Sequence, residues 1–258
     1  GTVAASGTLG ILIPPSIMLV LMADQVSTSV GDLFMGTLVP GVALGLLYMV
    51  YIMVVGFVRP DLVPPRAHDA EKLTLGQVAK AALSTVPTFG LILLVLGTIF
   101  FGVATPTEAS GLGAAGAMLL AAANGKLNWK VIREVGIETT LTTSFIFAIF
   151  IGATVFAYVL RLVGGDELLS ALFKGMNLSP TGLVLVVLAI VFVAGFLLGW
   201  CGIVLIILPL VAPLVKAAGI DLTWFLILIA VMLQTSFLTP PFGFSLFYLK
   251  GVVPKGVT

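Results

Sequence analysis

Two apolar stretches of this chain carry adjacent prolines among small polar residues. One reads Ser6-Gly7-Thr8-Leu9-Gly10-Ile11-Leu12-Ile13-Pro14-Pro15-Ser16, the other Gln234-Thr235-Ser236-Phe237-Leu238-Thr239-Pro240-Pro241-Phe242-Gly243. A proline pair removes two backbone donors and drives the preceding residue out of helical geometry, so a helix entering either stretch must break. Helix N-termini exposed by a break attract anions, and freed carbonyls attract cations. The candidate binding residues are therefore Ser6, Gly7, Thr8, Gly10, Pro14, Pro15 and Ser16 at the first break, and Thr235, Ser236, Thr239, Pro240, Pro241 and Gly243 at the second. A third interruption, Gly199-Trp200-Cys201-Gly202, divides the hydrophobic stretch 181–215 and adds Gly199, Cys201 and Gly202. Glycines there permit close backbone approach and positive φ. The nearest acids, Glu167 and Asp221, flank this tip at a distance in sequence, which leaves it amides, carbonyls, an indole and a thiol.

Enzyme chemistry finds little to work with. The single histidine, His68, lies in a polar segment and the single cysteine is Cys201, so no Cys/His metal cage or disulfide framework can form. Ser6 has no neighbouring His or Lys to activate it, and Asp32 has no second carboxylate at membrane depth with which to share a proton. No structural metal and no cofactor is expected. Gly111-Leu112-Gly113-Ala114-Ala115-Gly116 spells a dinucleotide fingerprint but sits in an apolar helix without a preceding strand, so it reads as close helix packing, as do Gly41 with Gly45 and Gly195 with Gly199. Thr105-Pro106-Thr107-Glu108 reads as a helix-capping box.

The elements that must hold the breaks are membrane helices. Sixty per cent of the 258 residues are hydrophobic and nine per cent charged, whereas soluble domains carry about 25% charged residues. With 12 basic and 11 acidic residues, no charge excess points to nucleic acid. A crossing needs about 20 apolar residues. Spans are expected at Gly1–Ala23, Leu33–Val58, Thr85–Val103, Thr107–Ala123 and Glu138–Leu160, with a re-entrant hairpin over 181–215 and a last, broken span within 222–250. Residues 128–138 read as an interfacial helix with Trp129, Ile132 and Val135 on one face. Arg59, Arg66, Lys72, Lys80, Lys126, Lys130, Arg133, Lys250 and Lys255 fall on one side of this topology, which makes that side cytoplasmic. The Pro-rich segment 59–80 is then a cytoplasmic linker between a first half, 1–58, and a second, 81–258. Broken helices of opposite direction, one in each half, point to an inverted-repeat transporter with its site near the bilayer midplane. The fold class is accordingly all-α, polytopic, with inverted repeats, broken transmembrane helices and a re-entrant hairpin. The chain opens Gly1-Thr2-Val3 and is expected to continue a longer polypeptide.

These stretches, together with Val30-Gly31-Asp32-Leu33-Phe34-Met35-Gly36, Pro40-Gly41, Ala104-Thr105-Pro106-Thr107-Glu108-Ala109, and Pro209 and Pro213 ahead of Gly219-Ile220-Asp221, resemble the large membrane subunit of tripartite ATP-independent periplasmic (TRAP) transporters along almost the whole chain. The run from Gln234 to Gly251 looks most like the mannitol or chloroaromatic branch, and the match like the C-terminal part of the subunit. The resemblance implies an elevator-type, Na⁺-coupled importer of small organic acids in the bacterial inner membrane, working with a small membrane subunit and a periplasmic solute-binding protein. It also implies an acidic residue at the hairpin tip, where this chain has Gly199. The competing expectation is a stand-alone sodium- or proton-coupled anion transporter of the same broken-helix plan.

Overall fold

The computed structural model describes residues 2–60, 75–240, 243, 245, 246, 249 and 250, and the described residues are helical or irregular. In order, the helices are α1 (Thr2–Leu12), α2 (Ile17–Gln25), α3 (Val30–Val58), α4 (Leu75–Phe100), α5 (Pro106–Ala123), α6 (Trp129–Leu162), α7 (Gly165–Gly175), α8 (Pro180–Gly195), α9 (Trp200–Gly202), α10 (Leu208–Ala217) and α11 (Leu222–Leu238). A π-helical turn, Ile203–Ile207, joins α9 to α10. It immediately precedes Pro209, which has no N–H and whose ring crowds the carbonyl four residues back, a sufficient reason for the local widening. Among the described residues four helices are long and apolar enough to cross a membrane, or five if the bent pair α1–α2 is one span. The chain is thus an all-α polytopic membrane protein.

Several boundaries differ from those read in the sequence. α4 begins at Leu75, so the end of the 59–80 segment is helical, while 61–74, with Pro64, Pro65, Arg66, His68 and Lys72, lie outside the described residues. Residues 129–138 do not form a separate interfacial helix; they are the first turns of the 34-residue α6. Nothing between Glu134 and Glu138 stops a helix, since a lone Gly136 weakens one without ending it. α5 forms where expected but is not among the four spanning helices. It starts on the capping box: Glu108 N donates to Thr105 Oγ1 at 3.3 Å, and Thr105 N donates to Glu108 Oε2 at 2.8 Å.

The described chain forms two compact units, residues 1–45 with 137–258, and residues 46–136. In the second unit α4 and α5 pack antiparallel, with Gly113 against Val95 and Gly116 against Leu91. The glycines of the fingerprint-like run are therefore packing residues. In the first unit α11 is central and packs on α1, α2, α8, α9 and α10. Its apolar core includes Leu12, Met18, Leu19, Phe34, Ile203, Leu208, Phe225, Leu226, Ile229 and Leu233, all essentially without exposure. Between helices surrounded by hydrocarbon, close approach and van der Waals contact hold the bundle together, and small residues permit it. Gly195 shows this: a Cβ there would stand 2.8 Å from Ser236 Cβ on α11. Gly195→Ala is expected to lower the stability of the full-length protein by about 1–3 kcal/mol, read as a fall in melting temperature in detergent. Gly97→Ala, with nothing within 4 Å of its added Cβ, should leave it unchanged or higher.

Candidate functional site

The first break is bent by 43° between α1 and α2. Ser16 spans it. Its hydroxyl donates to the Ile11 carbonyl and accepts from Leu19 N at 3.5 Å, so one side chain serves the C-terminal end of α1 and the N-terminal end of α2. The Pro14–Pro15 peptide is cis. Pro14 and Ser16 are buried and Pro15 is exposed. At the second break α11 stops after Leu238, and Thr239 is extended, with φ −110° and ψ 129°. Pro240 is exposed, Gly243 is buried with its N–H donating to Thr239 O at 2.9 Å, and Pro241 lies outside the described residues.

The hairpin tip departs from the reasoning that singled it out. Gly199 is the N-cap of α9 with φ −64° and ψ 162°, and Gly202 is helical with φ −63°. Neither needs the left-handed region, so backbone strain does not explain either glycine. A Cβ on Gly202 would meet Leu198 Cβ at an ordinary 3.5 Å. Cys201 is buried. The glycine that does enforce close approach is Gly195, one turn earlier, because α8 leans on α11 there.

The first unit brings the two breaks together with the 181–215 segment, whose second arm, Trp200–Ala217, is by length and composition one of the four candidate spans. α2 packs on the π-helical turn and α10, α8 on α11, and α9 on α11. Two hydrogen bonds set direction: Thr28 Oγ1 lies 3.4 Å from Thr223 Oγ1 at the start of α11, and Ser245 Oγ, beyond the end of α11, donates to Ala4 O at 3.0 Å. α1–α2 and α11 therefore run in opposite directions. The polar residues chosen from sequence do not all face this assembly. Ser6, Gly7 and Gly10 lie on the exposed side of α1, with nothing within 4 Å of an added Cβ at either glycine, whereas Thr8 is buried.

The chosen hydroxyls satisfy themselves locally. Ser6 donates to Val3 O, Thr8 to Ala5 O, Thr235 to Met232 O, Ser236 to Leu233 O and Thr239 to Thr235 O. Such back-bonds are the short-range habit of Ser and Thr in helices. The residue that the sequence reading passed over is Gln234. It is 2% exposed, and neither Nε2 nor Oε1 finds a hydrogen-bond partner among the described residues. Leaving a buried amide unpaired costs about 1–3 kcal/mol. The signal was present as a lone carboxamide in an apolar helix just before a proline pair, but sequence alone does not reveal which polar residues pair with their own helix.

The family model described as "Tripartite ATP-independent periplasmic transporter, DctM component" matches residues 1–258. The chain is 35% identical over its whole length to the C4-dicarboxylate TRAP transporter large permease protein DctM of Pseudomonas aeruginosa, of which it covers 60%. It is 28% identical, over 98% of the chain and 58% of the relative, to the sialic acid TRAP transporter large permease protein SiaM of Vibrio cholerae. It is 27% identical over the same shares to the 2,3-diketo-L-gulonate TRAP transporter large permease protein YiaN of Escherichia coli. The chain thus spans about 60% of the length of these relatives. The likenesses support neither the mannitol or chloroaromatic branch nor the C-terminal placement expected from the resemblance. Together with its membrane helices they make it an integral inner-membrane protein of a transporter family, not an enzyme. The chain belongs to the DctM family of TRAP transporter large permeases.

Proposed function

We propose that this chain forms part of a Na⁺-coupled importer of small organic acids, with C4-dicarboxylates as the solute class, acting with a periplasmic solute-binding protein and a small membrane subunit. The observation that carries the reading is the gathering of two oppositely directed helix breaks and a helical hairpin in one compact unit. Irregular backbone at membrane depth is tolerated where protein or a watery cavity satisfies it, which is the setting of a transporter site. The dicarboxylate assignment is supported by the name of the 35% identical relative. Carbonyls at the end of α1 and of α11 suit a coupling cation, and the N-terminus of α2 suits an anion. The opposite directions of the two broken elements support an inverted repeat, with the hairpin around 181–215 as a re-entrant element of an elevator-type carrier.

The test is uptake of radiolabelled succinate by the full-length protein with its small subunit in proteoliposomes. Uptake is expected to need an inward Na⁺ gradient and the solute-binding protein. Full-rate uptake without Na⁺ refutes the coupling, and full-rate uptake without the binding protein favours a stand-alone carrier.

Replacing Pro240 and Pro241 together with Ala is expected to let helix continue past Thr239 and to withdraw its carbonyls from the site. Transport should fall by at least about tenfold, the effect of losing interactions worth about 1.4 kcal/mol, at equal abundance in the membrane by immunoblot. Undiminished uptake would make this break an ordinary kink.

A further inference from the structure

Gln234 is the one side chain of the first unit whose burial the packing does not justify, since both polar atoms of its carboxamide lack partners among the described residues. Its place can be fixed by two independent routes. From the contact of Thr28, three residues past the end of α2, with Thr223, stepping back along α2 to Ser16 and equally far forward along α11 reaches Thr235, which brings the first break within a turn of Gln234. On the other route, a Cβ on Gly36 would lie 2.5 Å from Ile227 Cδ1 and one on Gly41 2.8 Å from Ile13 Cγ1. α3 runs antiparallel to α1, because Gly45 meets Leu9 as Gly41 meets Ile13, and hence parallel to α11. The step from Gly36 to Gly41 along α3 then puts Ile13 level with Met232, within a turn of Gln234. Helical spacing also places Gln234 on the stripe of Ile227, which faces α3, while Ser236 on the opposite flank meets α8 at Gly195. Gln234 therefore lies level with Ile13-Pro14-Pro15-Ser16, where α1 ends and α2 begins, and α1 and α2 both pack on α11.

We infer that Gln234 is a solute-binding residue that recognises an α-hydroxycarboxylate, with Nε2 donating to a carboxylate oxygen and Oε1 accepting from the adjacent hydroxyl. This rests on the organic-acid reading above and deepens it by naming the solute class of that site. A carboxamide offers a donor and an acceptor side by side, and the hydroxyacid offers the complementary pair on neighbouring carbons. No Lys or Arg lies near either proline pair in sequence, the nearest being Lys250, so a neutral donor has to carry the carboxylate, aided by the first-turn amides of α2. Both amide atoms are covered in this conformation, and the solute reaches them when α11 and the broken span part. A purely structural position would be better filled by Leu or Met, which need no partner.

The experiment is direct binding to the purified full-length protein, by titration calorimetry in detergent with L-malate and with succinate, which has the same two carboxylates and no hydroxyl. Wild type is expected to bind malate more tightly. Gln234→Leu, and Gln234→Met as the unbranched apolar substitute, should each lose at least about tenfold in malate affinity and bind the two acids nearly equally, with a melting temperature equal to or above wild type. The proposal is overturned if either folded variant binds malate like wild type, in which case the amide is met by water only. It is also overturned if both variants melt lower and lose both acids to the same extent, the mark of a packing role. Wild type that binds succinate as tightly as malate overturns this inference and leaves the dicarboxylate reading standing. Wild type that binds neither acid overturns this inference, and Na⁺-driven succinate uptake with the solute-binding protein then decides the carrier reading by itself.

Discussion

A backbone N–H or carbonyl released inside a bilayer has no water to bond, and each one left unpaired costs several times thermal energy. This constraint explains where the chain breaks its helices and what surrounds the breaks. Ser16 answers it at the first break by serving the Ile11 carbonyl on one side and the Leu19 amide on the other. Beyond the second, Ser245 reaches back to the Ala4 carbonyl of α1, and Gly243 N closes onto Thr239 O. Both breaks therefore belong to a single packed unit; neither is a kink on a lone helix. An isolated proline kink would need only its own helix and a neighbouring hydroxyl, and nothing would draw the far end of the chain back to α1.

The same lack of an aqueous driving force sets how the helices meet. Apolar surface gains nothing by leaving lipid for a helix of the same character, so association depends on backbones coming close. Gly41 against Ile13, Gly36 against Ile227 and Gly195 against Ser236 mark three such approaches, and they hold α11 among α1, α3 and α8. The polar inventory of α11 follows from that placement. Its flank toward α8 carries Ser236, small enough to accept the glycine contact and able to bond its own helix at Leu233 O. Its flank toward α3 carries Gln234, whose carboxamide makes no such bond among the described residues.

Much of this was legible in the sequence because it rests on local chemistry. α1 and α11 end just ahead of the two proline pairs, Thr105 with Glu108 spells a cap, and long apolar runs spell helices. What escaped depends on neighbours. Gly199 and Gly202 look like a strained turn on paper, yet their backbones are ordinary, and the tight contact falls at Gly195, legible as a packing glycine but not as a partner of α11. The interfacial helix at 128–138 vanished into α6 because an amphipathic pattern cannot say whether the helix continues beyond it. Ser6, Gly7 and Gly10 share a motif with Thr8, but one turn of helix cannot face one partner on all sides, and only Thr8 points inward.

The polar residues of the site divide by how far their side chains reach. A serine or threonine in a helix can always retreat to a carbonyl three or four residues back, which makes it harmless in hydrocarbon and leaves it available when a ligand arrives. Its presence near a break therefore says little, because the satisfied and the ligand-bound states differ by a small rotation. Gln234 makes no such retreat: both polar atoms of its amide are without a partner among the described residues. A passive membrane scaffold would gain nothing from keeping an unpaired amide in its core, and a leucine there would serve it better. An amide unsatisfied when the helices are closed and satisfied when solute lies between them would raise the empty closed state relative to the loaded one. The hydroxyls at the breaks bond their own helices, and the buried amide of Gln234 bonds none of the described residues.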